Sequence, residues 1–254
     1  MNKRLIFCLL FKDQQFQLSR NFNLQSVGDL DWINNNFPFN ETCKSIDEII
    51  FIHAKNDPSI IEKKTFLKTI NILRKKLFIP ITIGGGIRNI DDVRAYFDIG
   101  ADKIILNTSF YDKNLLISLS NKYGAQSISA MIDYKIEKKK RLVYLNSGKK
   151  KFNYFDEYNL LNFQKNNVGD IIFNSIDRDG TGQGLDLSIS KKIKKISNPI
   201  ILMGGAGKSD HIIKALKIKN INGVATSNIF NFLGKGLSVI RERLLEMKIK
   251  IANF

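Results

Sequence analysis

Apolar, β-branched runs recur along the chain at residues 5–10, 48–53, 80–84, 102–107, 127–133, 170–175, 199–204 and 223–227. Each is short and bounded by polar or glycine residues, the pattern of a buried strand. Between these runs, apolar residues repeat at helical spacing. Phe66-Ile70-Leu73-Leu77, Val93-Phe97, Leu115-Leu116-Leu119, Ile189-Ile193-Ile196, Ile212-Ile213-Leu216 and Leu237-Ile240-Leu244 each line one helix face. Eight strands alternating with helices predict an α/β chain closed into a (β/α)8 TIM barrel, one domain over residues 1–254. The competing open, doubly wound sheet usually stops near about six strands and carries one glycine-rich turn.

Two stretches break the rhythm. Residues 14–38 lie between strand one and helix one or form part of that helix, with Trp32, Ile33 and Phe37 as the buried stripe. Residues 136–155, with several lysines around Leu142-Val143-Tyr144-Leu145, read as a small hairpin and mobile flap near the barrel top.

One phrase is said twice. Gly84-Gly85-Gly86-Ile87-Arg88 leads through an amphipathic segment to Asn107-Thr108; Gly204-Gly205-Ala206-Gly207-Lys208 leads in the same way to Thr226-Ser227. The copies start 120 residues apart and make two half-barrels of the ribulose-phosphate-binding type. Glycine turns and short hydroxyl turns at strand ends suit anions, because they offer free backbone N–H groups. Gly85, Gly86, Asn107 and Thr108 form one candidate phosphate nest; Gly205, Thr226 and Ser227, joined by Gly180, form the other. A glycine after a strand also serves tight packing, and Asn107 also suits closing its own turn.

Composition adds less. The formal charge of +16 sits largely in lysine runs on solvated faces. It favours anionic small molecules over nucleic acid, since no helix concentrates Arg with aromatics. The apolar run after Met1-Asn2-Lys3-Arg4 is too short for a membrane span and lacks a small-residue cleavage site, so it reads as the first strand. Two distant cysteines, Cys8 and Cys43, suggest reduced thiols and a cytoplasmic chain without membrane insertion. No metal-ligand spacing and no cofactor motif stands out around His53 or His211.

In a barrel of this kind chemistry gathers at the carboxyl ends of the strands. Asp133 closes strand five there, as an acid–base group or as a structural cap. Asn174-Ser175-Ile176-Asp177-Arg178-Asp179-Gly180-Thr181 follows strand six as a dense polar loop, in which Asp179 is the second catalytic candidate and Asp177 and Arg178 pair with each other. At the opposite end, Arg4, Glu48, Lys103 and Asp170 stand at strand starts. Alternating charges at one level suit a closed ionic ring, or ordinary surface pairing.

The motifs Cys8-Leu9, Gly28-Asp29, Gly84 to Arg88, Gly100 to Lys103, Ile132-Asp133, Ser175 to Thr181 and Gly204 to Gly207 resemble those of the HisF-like cyclase subunit of imidazole glycerol phosphate synthase, over nearly the full length. The resemblance implies a ligand with phosphates at both ends and a class I glutaminase (HisH-like) partner. Ammonia from that partner would enter at the barrel bottom, and the resemblance makes Arg4, Glu48, Lys103 and Asp170 its gate. Asp170 stands where the family commonly has Glu, and three further positions depart. The family's first strand ends Cys-Leu-Asp, that Asp being one of two catalytic carboxylates, whereas this chain has Cys8-Leu9-Leu10. The family's phosphate-side lysine falls at Leu18, and an Asp closing strand two falls at His53. The Cys-Leu-Leu start is similar to a WbuZ-like branch found with surface-polysaccharide genes. That likeness implies ammonia channelling with a glutaminase and a sugar amidotransferase, for lipopolysaccharide-type sugars. The alternatives are a histidine-pathway cyclase and a noncatalytic scaffold that activates its glutaminase.

Overall fold

The computed structural model describes residues 2–155, 167–227 and 236–252. Eight parallel strands form a closed ring: β1 (Arg4–Lys12), β4 (Glu48–His53), β5 (Ile81–Gly84), β6 (Lys103–Leu106), β7 (Ile128–Glu137), β10 (Asp170–Ser175), β11 (Ile200–Met203) and β12 (Gly223–Thr226). The ladder runs through β12 against β1 (Arg4 beside Gly223) and closes through β7 against β10 (Asp133 beside Asn174). The chain is therefore a (β/α)8 barrel, as the eight apolar runs predict. Helices α1 (Leu30–Asn36), α2 (Phe39–Cys43), α3 (Ile60–Arg74), α4 (Ile90–Asp98), α5 (Lys113–Tyr123), α6 (Ser209–Leu216) and α7 (Gly236–Glu246) accompany the strands.

Strand periodicity sorts the apolar residues into two cores. Outward side chains such as Leu5, Phe7, Ile49, Phe51, Ile83 and Ile104 join Phe66, Ile70, Leu73 and Val93 from α3 and α4 between sheet and helices. Inward side chains fill the axis with Ile6, Cys8, Leu10, Ile50, Ile105, Met131, Ile172, Ile201, Met203 and Ala225. Cys8 is thus buried in the axial core, and burial pushes its thiol well above the ordinary range.

Both irregular stretches are antiparallel hairpins. After β1 the chain turns at Asp13-Gln14 into β2 (Gln15–Arg20) and, through Asn21-Phe22, into β3 (Asn23–Gly28). The helix comes only afterwards, with Asp29 capping Trp32 N–H and Ile33 buried beneath it. After β7 the chain turns at Lys138-Lys139 into β8 (Lys140–Leu145) and β9 (Lys150–Tyr154). In the first three of these turns both central residues have positive φ, as they do at Asn146-Ser147 opening the β8–β9 connection. That backbone matches the twist of two-residue hairpins.

One predicted helix is missing. Ile189, Ile193 and Ile196 are all buried, yet only a 3₁₀ turn, Leu187–Lys191, forms. β-Branched isoleucines and four closely spaced lysines disfavour a long helix between the Asp186 cap and Pro199. Asp186 does more than cap. Its Oδ2 accepts from Tyr134 Oη at 2.9 Å and from Arg141 Nη2 at 2.7 Å, locking β8 to the loop after β10. Replacing Asp186 by Ala leaves the buried Tyr134 phenol without its acceptor and the nearly buried Arg141 guanidinium without its counter-charge. The expected loss, read by chemical denaturation, is about 3–5 kcal/mol.

Candidate functional site

Closure turns the first residue of four strands toward the axis at one end. Arg4, Glu48, Lys103 and Asp170 open β1, β4, β6 and β10 and converge. Arg4 reaches Glu48 at 2.9 Å and Asp170 at 3.0 Å; Lys103 reaches Asp170 at 3.0 Å and Glu48 at 3.4 Å. The four charges form a closed alternating ring. Thr82 Oγ1 also donates to Glu48 Oε1 at 2.6 Å. Burial would raise the Asp170 carboxyl, but the Lys103 and Arg4 charges outweigh it and hold it below the ordinary range. Above the ring the axis is the apolar column of Ile6, Cys8, Ile50, Ile172 and Ile201.

The opposite end of the barrel carries two cavities. The first, about 970 Å³ including space open to solvent, is lined by Gly85, Gly86, Asn107, Thr108, Asp133 and Asp179, together with Leu10. The second, about 720 Å³, is lined by Gly180, Gly205, Thr226, Ser227 and again Asp179. Every phosphate and acid–base candidate read from the sequence therefore lies at one of two neighbouring hollows, with Asp179 at both.

Asp133 is buried between two amides. Asn174 Nδ2 donates to Oδ1 at 2.9 Å from the adjacent strand, and Asn107 Nδ2 donates to Oδ2 at 3.1 Å. Asn107 also donates to Met131 O at 2.9 Å, so it ties the end of β6 to β7 and orients the carboxylate. Burial pushes the Asp133 carboxyl up to about 7; the amides oppose the shift and the Asp179 charge adds to it. A carboxyl titrating near neutrality suits proton transfer. Asp179, also raised by burial, accepts from Ser19 Oγ and from the Phe22 N–H at 3.1 Å.

The glycine turns have the backbone an anion nest needs. Gly85 and Gly86 have φ of 92° and 67°, and Gly204 and Gly205 have 93° and 97°. In the first half Tyr96 Oη donates to Gly85 O at 2.6 Å; in the second, Gly184 N donates to Gly205 O at 2.7 Å. The hydroxyl of Thr108 accepts from Asn146 N at 2.9 Å, which ties the β8–β9 turn to the first cavity. Asn56 Nδ2 donates to Asn146 O at 2.8 Å from the other side.

One assignment changes. Asp177 and Arg178 do not pair with each other: Asp177 accepts from the Ile136 N–H at 2.7 Å, and Arg178 donates to Gly184 O at 2.9 Å. Sequence reasoning also missed Ser19 and Asn174. Asn174 stands inside the polar motif after strand six, but only cross-strand register reveals that it faces Asp133. Ser19 had no signal beyond the Asn21-Phe22 hairpin turn that follows it.

Comparison with known proteins agrees with this architecture. The family profile described as "Histidine biosynthesis protein" matches residues 44–235. The chain is 38% identical over 243 residues to a Parasynechococcus marenigrum (strain WH8102) protein named for subunit hisF2 of imidazole glycerol phosphate synthase, spanning 95% of this chain and 90% of the relative. It is 31% identical over 253 residues to the HisF subunit of Hydrogenobaculum sp. (strain Y04AAS1), spanning 98% of each. Identity to the Sulfolobus acidocaldarius HisF subunit is 36% over 228 residues, or 85% of this chain and 86% of that one.

The Asp133 environment has a measurable consequence. In the folded chain its carboxyl holds a proton up to about pH 7, whereas the unperturbed group releases it near 3.8. The folded state therefore binds more protons across that window, and stability falls as pH rises from about 4 to about 7, then levels off. Denaturation midpoints across the window check this, and Asp133→Asn, which cannot titrate, loses that part of the slope.

Proposed function

The chain belongs to the HisF family of imidazole glycerol phosphate synthase subunits, and from that premise we propose that it is the ammonia-using half of a glutaminase–synthase pair. Its own reaction on this reading is cyclisation of N1-[(5-phosphoribulosyl)formimino]-5-aminoimidazole-4-carboxamide ribonucleotide with ammonia. The supporting observation is the pairing of a fully compensated charge ring at the barrel base with Asp133, poised near neutrality, at the mouth.

The residues divide the work by height. Arg4, Glu48, Lys103 and Asp170 balance two charges of each sign, so the base presents no uncompensated charge to a neutral molecule. The apolar column above favours ammonia over ammonium, because an unpaired cation there would lose its hydration. At the mouth, Gly85, Gly86 and Thr108 hold one phosphate of the ligand and Gly180, Gly205, Thr226 and Ser227 hold the other. Asp133 moves the proton, and Asp179 lies between the two ends.

Leu10 limits the rate. It occupies the cavity wall where the resemblance places a second carboxylate, and one positioned acid–base group contributes about 10²–10⁴-fold. Leu10 also supports a second reading, in which ammonia passes to a sugar held by a third protein, as in the WbuZ-like branch. The relatives named above bear the histidine-enzyme name, so that reading rests on Leu10 alone.

Ammonia-dependent consumption of the aminoimidazole substrate at high ammonium decides between them. Cyclisation predicts slow but measurable product, lost in Asp133→Asn and raised roughly 10²-fold in Leu10→Asp. No turnover in either the native chain or Leu10→Asp removes the cyclase reading. With a glutaminase partner bound, Glu48→Gln is expected to depress glutamine-dependent turnover while leaving ammonia-dependent turnover and partner affinity nearly unchanged. Equal loss of both activities would separate the ring from ammonia passage.

A further inference from the structure

The β2–β3 hairpin stands as a partition between the two cavities. Leu18, Arg20, Asn23 and Gln25 line the second cavity, whereas Phe22 and Leu24 line the first. Register explains the division. Leu18 lies opposite Gln25 and Arg20 opposite Asn23, so these four share one face of the hairpin while Leu24 takes the other. Ser19, bonded to Asp179, borders both hollows.

Among the described residues lining the second cavity, Arg20 is the single lysine or arginine. Its side chain is exposed, and among the described residues it makes no ion pair and no side-chain hydrogen bond. The one carboxylate in that lining, Asp179, is already engaged by Ser19 and the Phe22 N–H, and its burial opposes the charged form. The cavity thus combines glycine turns of positive φ, two hydroxyl residues and one uncommitted guanidinium.

The hairpin is held where Arg20 can serve this cavity. Asn21 N donates to Asp179 O at 2.9 Å, and Asn21 Nδ2 donates to Ile176 O at 3.0 Å and Asp177 O at 2.9 Å. Gly180 permits the approach. A Cβ built there meets Ser19 O at 2.0 Å and the Arg20 Cα at 2.8 Å, so the strand lies directly on that glycine.

We infer that Arg20 is a ligand-binding residue of the second anion site and clamps a phosphate monoester seated at Gly205, Thr226 and Ser227. This rests on the proposed reading of that site. A guanidinium offers two parallel N–H groups to phosphate oxygens, a geometry that lysine's point charge lacks. Arg20 is the hairpin's contribution to binding, on the face opposite the one that lines the Asp133 cavity.

Titration with inorganic phosphate tests this, followed through the amide resonances of Gly205 and Gly85 so that each site is read separately. Arg20→Ala is expected to weaken phosphate binding at the Gly205 site by about 10- to 100-fold while changing the Gly85 site less than about two-fold. Arg20→Lys is expected to recover part of the loss. An unchanged melting temperature excludes a fold effect, which the exposed position favours. Unchanged affinity at Gly205 in Arg20→Ala, or equal weakening at both sites, overturns the role of Arg20 and leaves the anion site standing. Native protein in which phosphate leaves Gly205 unperturbed overturns the anion site and the inference together.

Discussion

Closure of the parallel ladder is the constraint on which the rest depends. Once β7 pairs with β10 and β12 with β1, no strand of the parallel ring has a free edge, and every second side chain of these strands must point into a closed column. The inward positions of one strand then form a vertical series. On β1 it runs Arg4, Ile6, Cys8, Leu10; on β10, Asp170, Ile172, Asn174. Charge at the base, hydrocarbon in the middle and the Asn174 amide at the mouth follow from strand register; the second amide, Asn107, comes from the turn after β6.

The same burial cost has opposite outcomes at the two ends. Asp170 and Glu48 meet two cations at hydrogen-bonding distance, so Coulomb attraction offsets desolvation and Asp170 stays ionised. Among the described residues Asp133 meets neutral amide donors and a second carboxyl, so desolvation wins and its proton is held to about pH 7. One barrel thus keeps an ion-paired ring and a carboxyl able to exchange protons, at opposite ends of its strands. The difference lies in the neighbours and not in the depth of burial.

The two hairpins shape the mouth. The first crosses between the cavities and holds Asp179 through Ser19 and Phe22; the second ties Asn146 to Thr108 and Asn56. Neither contributes to the ladder that closes the barrel, and both rest on type I′-like turns of polar residues, with Phe22 as the exception. Phe22 adopts positive φ, a strained choice for an aromatic residue, and its ring packs with Ile176, Leu142 and Tyr144. The packing of that ring offsets the local cost and seats the hairpin against the loop after β10.

Much of this was written in residue order. Eight apolar runs gave the strands, the doubled glycine and hydroxyl turns gave both halves of the mouth, and four charges at strand starts gave the ring, because strand period and turn chemistry are local properties. Contacts across the ladder were not local. Asn174 acquires its meaning from lying beside Asp133, and Asp177 abandons Arg178 for the Ile136 N–H because β7 extends past the barrel rim. Helical spacing at Ile189, Ile193 and Ile196 misled, since burial of the three side chains was satisfied by an irregular segment. Sequence by itself determined the barrel and the chemistry available at each end. Tertiary structure decided which carboxyl is neutralised, which hairpin face meets which cavity and where Arg20 stands, because burial and facing are properties of packed neighbours.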